Sequence, residues 1–198
     1  MTPITPTTPI AALAPVASVA TRTVLLQCVS ADELQALAQG DVPAAWAGRH
    51  ADQSMPPAFV AQRTMELQQR SGASPLAGAL YWVLEGGQVV GACGFKDAAQ
   101  DSWVEIGYGI APGCQGRGLG TKAVTALCRI AFDTAQLQWV RACIEPGNAA
   151  SAALACRLGF SVGPAVTEND GSTVHIWTLA RQACPACTGR PSEQRGET

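Results

Sequence analysis

Charge is scarce in this chain: charged side chains make up 14% of its 198 residues, and none falls between Met1 and Ala20. The net charge of -2 and the pI near 5.6 exclude the broad basic footprint of a nucleic-acid binder. No run of 18 uncharged apolar residues exists, which argues against a membrane span. A secretory signal would need a basic region ahead of an apolar stretch, but the first basic residue is Arg22. Pro3, Pro6, Pro9 and Pro15 would also break a helix there. Residues 1–21 therefore read as a flexible leader, and the expected location is cytoplasmic. Histidine and tyrosine occur only twice each, and phenylalanine four times. With so few other aromatics, the five tryptophans read as core rather than as a binding stripe.

What is plentiful is apolar: 47% of residues are hydrophobic, enough for one domain with a buried core that needs no disulfide or metal. The eight cysteines include Cys28, Cys93, Cys114, Cys128, Cys143 and Cys156, scattered without pairing rhythm. Within apolar runs they read as reduced, small hydrophobes. Cys184-Pro-Ala-Cys187 has redox or half-zinc spacing, but no second pair or nearby histidine completes a tetrahedral set. No metal is expected, and residues 182–198 read as a polar tail.

The first strand is expected over 22–29. Ser30 with Glu33 forms a capping-box pattern that opens a helix to about Gln39, where Gly40 stops it. A second helix follows over 58–69. Two apolar runs, 80–85 and 88–95, flank Gly86-Gly87 as a hairpin. A further strand covers 103–110, and a helix follows with Val124, Leu127, Ile130 and Ala131 on one face. Residues 139–144 are a strand stopped by Pro146, and Asn148 caps a short helix ending at Gly159. Strands over 160–166 and 173–179 close the chain. This order implies an α/β domain at 22–181 with a mixed sheet covered by helices.

The chemistry sits in Gln115-Gly116-Arg117-Gly118-Leu119-Gly120-Thr121, between a strand and a helix. A helix start exposes unpaired N–H groups and the positive dipole end, and glycines let that backbone approach a phosphate. Arg117 adds a cation. The glycine spacing fits neither a dinucleotide fingerprint nor a Walker A loop.

In context this stretch resembles the acetyl-CoA-binding half of the GNAT acetyltransferase superfamily. Its hallmark, Gln/Arg-x-x-Gly-x-Gly/Ala, is met by Gln115, Gly118 and Gly120. Val104-Glu-Ile-Gly-Tyr108, Asn148-x-x-Ser151 and Leu158-Gly-Phe160 resemble the branch containing ribosomal-protein N-terminal acetyltransferases. The resemblance implies a twisted, mostly antiparallel sheet of about seven strands, flanked by four helices. Its fourth and fifth strands would splay apart into a V. Backbone N–H groups from Gln115 to Gly120 would hold the CoA pyrophosphate, with Thr121 beside them. An N–H at Gly109 or Ile110 would face the oxyanion, and Asn148 would contact the CoA arm. Dimers are frequent in this family, so a homodimer is an open expectation.

Acyl transfer needs a neutral amine. A lysine side chain is only ~0.04% neutral at pH 7, whereas an α-amine is roughly 10–20% neutral. Glu105 is the candidate base: on a period-two strand it shares a face with Gly107 and Gly109, which leave space beside its carboxylate. Ser151 is the candidate proton donor near the CoA sulfur. A tyrosine acid late in the chain, common among relatives, is missing here, since only Tyr81 and Tyr108 exist. His175 reads as structural. His50, with Trp46 and Phe59, lies in the region that borders the acceptor pocket in this family. The acceptor is expected to be a protein N-terminal α-amine or a small amine. Residues 41–69 carry both charge signs and no acidic run that would favour polycations. The alternative class is a non-catalytic acyl-CoA sensor, and a third is a zinc or redox protein built on Cys184 and Cys187.

Overall fold

Eight strands join in one sheet in the computed structural model, which describes residues 18–21, 24–71, 76–134, 137–168 and 171–185. The strands are β1 (Ser18–Thr21), β2 (Val24–Cys28), β3 (Leu80–Glu85), β4 (Gln88–Phe95), β5 (Trp103–Ile110), β6 (Trp139–Ile144), β7 (Ser161–Thr167) and β8 (Thr173–Ala180). The helices are α1 (Ala31–Ala38), α2 (Ala58–Arg70), α3 (Leu119–Thr134) and α4 (Ala149–Arg157). All seven strands and four helices expected from the sequence form. The addition is β1, which falls inside the expected leader and pairs antiparallel with β2 along its whole length.

The sheet order is β1-β2-β3-β4-β5-β6-β8-β7. Every neighbouring pair is antiparallel except β5 and β6. Local chemistry sets several joints. Ser30 Oγ accepts from Glu33 N while Glu33 Oε2 accepts from Ser30 N, so both ends of the capping box close at the start of α1. Gly86 and Gly87, at φ +57° and +81°, make the β3–β4 turn that only residues tolerant of positive φ can form.

Period-two alternation divides the sheet into two buried faces. On one, Leu80, Trp82, Leu84 and Ala92 meet Leu34 and Leu37 of α1, Ala61 of α2 and Trp46. On the other, Tyr81, Val83, Val104, Ile106 and Val140 meet α3 through Val124, Leu127 and Ala131, and α4 through Ala155. Cys184 corrects the polar-tail reading, because it is buried in this second core. Arg181 holds the segment in place: its Nε donates to Leu137 O at 2.9 Å and its Nη2 to Phe132 O. Cys187 lies outside the described residues. Among the described residues no cluster of histidine, cysteine or carboxylate could hold a metal, and no helix is long and apolar enough to cross a membrane.

Candidate functional site

β5 and β6 pair over only three residues, Trp103–Glu105 against Trp139–Arg141. Beyond them the strands diverge and open a cleft of about 250 Å³, lined by Ile106, Tyr108, Cys143, Ile144, Asn148 and Ser151 among others. Ladder alternation decides which backbone groups face it. Ala111 N donates to Val90 O and Lys96 N donates to Glu105 O, so odd-numbered residues of β5 turn their N–H and C=O toward β4. Tyr108 and Ile110 therefore point theirs at the cleft. Of the two oxyanion donors expected, it is Ile110 and not Gly109 that offers an N–H there. Gln115 Nε2 donates to Ile110 O at 2.9 Å, tying the glycine loop to the cleft mouth.

The loop reaches α3 through Gly116 and Gly118, both at φ +74°. A Cβ at either would meet no atom within 4 Å, so both face open space. The N–H groups of Leu119, Gly120 and Thr121 begin the helix and have no intrahelical carbonyl to bond. Gly120 serves a different purpose, since an added Cβ would press on Leu154 Cδ1 at 3.0 Å where α3 meets α4. Arg117 departs from the expected pattern. Its guanidinium pairs with Glu85 at 2.8 Å, so part of its charge is already answered. A second cation that the sequence reading missed stands nearby: Arg157 of α4 donates to Thr121 Oγ1 at 3.3 Å. Replacing Arg157 with alanine should weaken acetyl-CoA binding about 3- to 10-fold, with the deficit shrinking at high salt; calorimetry at two ionic strengths checks this.

Glu105 lies on the face of β5 that looks toward α2, its side chain 15% exposed. Its Oε1 accepts from Lys96 Nζ at 2.5 Å, a partner not foreseen from the sequence because it lies just past the end of β4, which pairs with β5. Burial pulls the Lys96 ammonium down, but the hydrogen bond and charge of Glu105 outweigh it and leave Lys96 above its ordinary value. Burial first, and then the Glu105 charge, push the neighbouring Cys143 thiol up to about 11, so it stays protonated at neutral pH. Beside the pair, Arg141 stacks over the Trp103 ring at 4.0 Å.

Across the cleft, Asn148 Oδ1 accepts from Ser151 N at 3.0 Å and so caps α4. That bond uses only the Asn148 oxygen and the Ser151 backbone, so the cap commits neither the Asn148 amide NH₂ nor the Ser151 hydroxyl, which lies beside the Tyr108 hydroxyl. Tyr108 Oη is buried without a partner at hydrogen-bond geometry. Burial raises its hydroxyl above the usual tyrosine value, and the adjacent Ser151 hydroxyl offsets part of that rise.

A second, larger cavity of about 590 Å³ lies between α2, the 53–57 loop and the sheet. Its floor has little side chain to fill it. The register sets Ala92 opposite Gly109 and Gly94 opposite Gly107, which puts these four small residues on the α2 face. Lys96, Gly107 and Tyr108 line both cavities, so the two meet across β5. Phe59 lines the larger one. His50 and Trp46 do not: Trp46 is buried and donates Nε1 to Glu33, and His50 bridges to Val89. His175 sits on β8 with Nδ1 3.3 Å from Gly163 O, away from both cavities.

A family model described as an acetyltransferase (GNAT) domain matches residues 23–161. Comparison with curated proteins gives no match. Among solved structures, a candidate ribosomal-protein-serine acetyltransferase from Vibrio cholerae is similar at 19% identity and TM-score 0.61, over 85% of this chain and 99% of that one. RimL, a ribosomal L7/L12 α-N-protein acetyltransferase in complex with coenzyme A, is similar at 20% identity and TM-score 0.57, over 81% and 95%. Mycobacterium smegmatis RimJ, in complex with a CoA disulfide, is similar at 18% identity and TM-score 0.58, over 83% and 86%. At these identities the likeness is one of fold.

Proposed function

Because the chain belongs to the GNAT acetyltransferase family, we propose that this acyltransferase moves the acetyl group of acetyl-CoA onto a primary amine by direct attack in a ternary complex. The observation that carries the reading is the three-residue pairing of β5 and β6, with the 115–121 loop at the mouth of the cleft it leaves. Backbone N–H groups from Gln115 to Gly120 and the side chain of Arg157 would take the pyrophosphate. Thr121 sets the position of Arg157, and the Asn148 NH₂ would meet the CoA arm.

Chemistry would follow at β5. Glu105 would draw the proton from the attacking amine, directly or through a water. The amine nitrogen bonds to the thioester carbon, and the carbonyl oxygen takes the electron pair beside the Ile110 N–H. Collapse expels the CoA thiolate, which Ser151 would protonate. A thiol near pKa ~8.5 leaves readily, so this last donor adds little. Ser151→Ala should accordingly lower kcat no more than about tenfold with acetyl-CoA affinity unchanged. Its backbone N–H keeps the α4 cap intact. A loss of about 10³ would instead make Ser151 indispensable.

The likeness to RimL suggests a protein N-terminal α-amine as acceptor, and a small amine fits the same chemistry. The reading includes a cytoplasmic setting, which suits the free thiols of Cys28, Cys93, Cys114, Cys143 and Cys156, and it allows a homodimer. Calorimetric titration with acetyl-CoA, then release of CoA on adding peptide N-termini or small amines, tests it. Failure to bind acetyl-CoA would end it.

A further inference from the structure

The larger cavity says which amines fit. Resting on the transfer reading above, we propose that the acceptor carries its single reacting amine on an apolar body, aromatic or branched aliphatic, seated between α2 and β4–β5. Its volume of about 590 Å³ suits a small ligand or one bulky side chain. The wall is apolar: Met55, Pro57, Val60, Leu67 and Leu80 line it, and Phe59 stands at 66% exposure on the same helix. An exposed phenylalanine beside a concave apolar wall gains by covering an apolar ligand.

Charge decides against the competing class. Among the described residues, the charged side chains lining this cavity are Arg63 and Lys96, both cations, and no carboxylate lines it. Each cation is answered from outside the lining, Arg63 by Asp97 at 2.9 Å and Lys96 by Glu105 at 2.5 Å. A polyamine or aminoglycoside would bring further ammonium groups into a wall that offers them no partner, next to two like charges. A single neutral amine placed at the Lys96–Gly107 end lies beside the Lys96–Glu105 pair, with Glu105 just outside the lining, and leaves the rest of the ligand in apolar surroundings.

One polar position remains. Ser54 is buried, lines the cavity, and its Oγ has no hydrogen-bond partner. A hydroxyl or carbonyl on the ligand body would satisfy it. The space itself depends on β5: a Cβ at Gly109 would meet nothing within 4 Å, and one at Gly107 would reach only the Lys96 stem at 3.4 Å. Larger residues here would occupy the seat.

The test measures CoA release from acetyl-CoA with four acceptors: phenethylamine, a phenylalanine-led peptide, a serine-led peptide and spermidine. The expected result is kcat/KM at least about tenfold higher for phenethylamine, the phenylalanine-led peptide or both than for the other two. Phenethylamine turnover identifies free small amines as the source, and peptide turnover alone identifies a chain N-terminus. Val60→Asp puts a carboxylate in the wall. It should cut the apolar preference about tenfold and raise spermidine turnover, with acetyl-CoA affinity unchanged. If that variant does not fold, the wild-type ranking still decides. Equal or better turnover of spermidine or the serine-led peptide overturns the proposal while leaving acetyl transfer standing. Absence of acetyl-CoA binding, or of transfer to any amine, overturns the transfer reading and this proposal with it.

Discussion

Gly118→Trp should raise the Kd for acetyl-CoA by at least about 100-fold, equivalent to ~2.7 kcal/mol, while the protein stays folded. Two effects combine at this position. The backbone sits at φ +74°, where a non-glycine residue costs about 1–3 kcal/mol if the loop holds its shape. If the loop relaxes instead, the N–H groups no longer converge on one anion. The indole would also fill the open space over the loop through which the proposed pyrophosphate would approach, since nothing of the protein lies within 4 Å of the added Cβ. That openness is why the core should survive, and circular dichroism with a thermal melt checks it. Undiminished binding would mean that the phosphates are held elsewhere.

The second large effect concerns Glu105. Glu105→Gln should lower kcat/KM by about 10²–10⁴ with acetyl-CoA affinity unchanged, because the amide keeps the shape and the bond from Lys96 but takes up no proton. Acceptor dependence at neutral pH separates this from a structural role. Lys96 is raised by its partner, so the ion pair is fully present below the ordinary lysine value of ~10.5 and is lost only as pH rises through the raised one. Lys96 therefore sets no feature of the wild-type profile between about pH 6 and 9. Acceptors should differ in the variant: a lysine-type amine, rarely neutral, should lose more than an α-amine. Equal losses across acceptors, or a lowered melting temperature that accounts for the change, would remove Glu105 from the chemistry.

Much of this was legible because it is local. The capping box at Ser30 and Glu33, the two-glycine turn, and the Asn148 cap are each written within a few residues and form as read. Pleat alternation alone put Glu105, Gly107 and Gly109 on one face. What escaped is long-range. Lys96 meets Glu105 only because β4 and β5 pair, and Arg157 meets Thr121 only because α4 docks beside α3. Arg117 turned away toward Glu85, a pairing no spacing rule encodes. β1 carries no hydrophobic period of its own and takes its conformation from the edge of β2. Cys184 looked polar by its neighbours and is buried by the anchoring of Arg181. The donor choice between Gly109 and Ile110 required the ladder's phase, which one strand's sequence does not contain.

The short contact between β5 and β6 also shapes how the molecule moves. Three residue pairs join the five strands from β1 to β5 to the three beyond them. The sheet is thus two leaves on a narrow spine, held together otherwise by α3 and α4 beneath. Amide hydrogens at Tyr108 and Ile110 have no strand across from them and should exchange with solvent early, ahead of their neighbours facing β4. A thioester substrate lying in the gap would bind both leaves at once and slow that exchange.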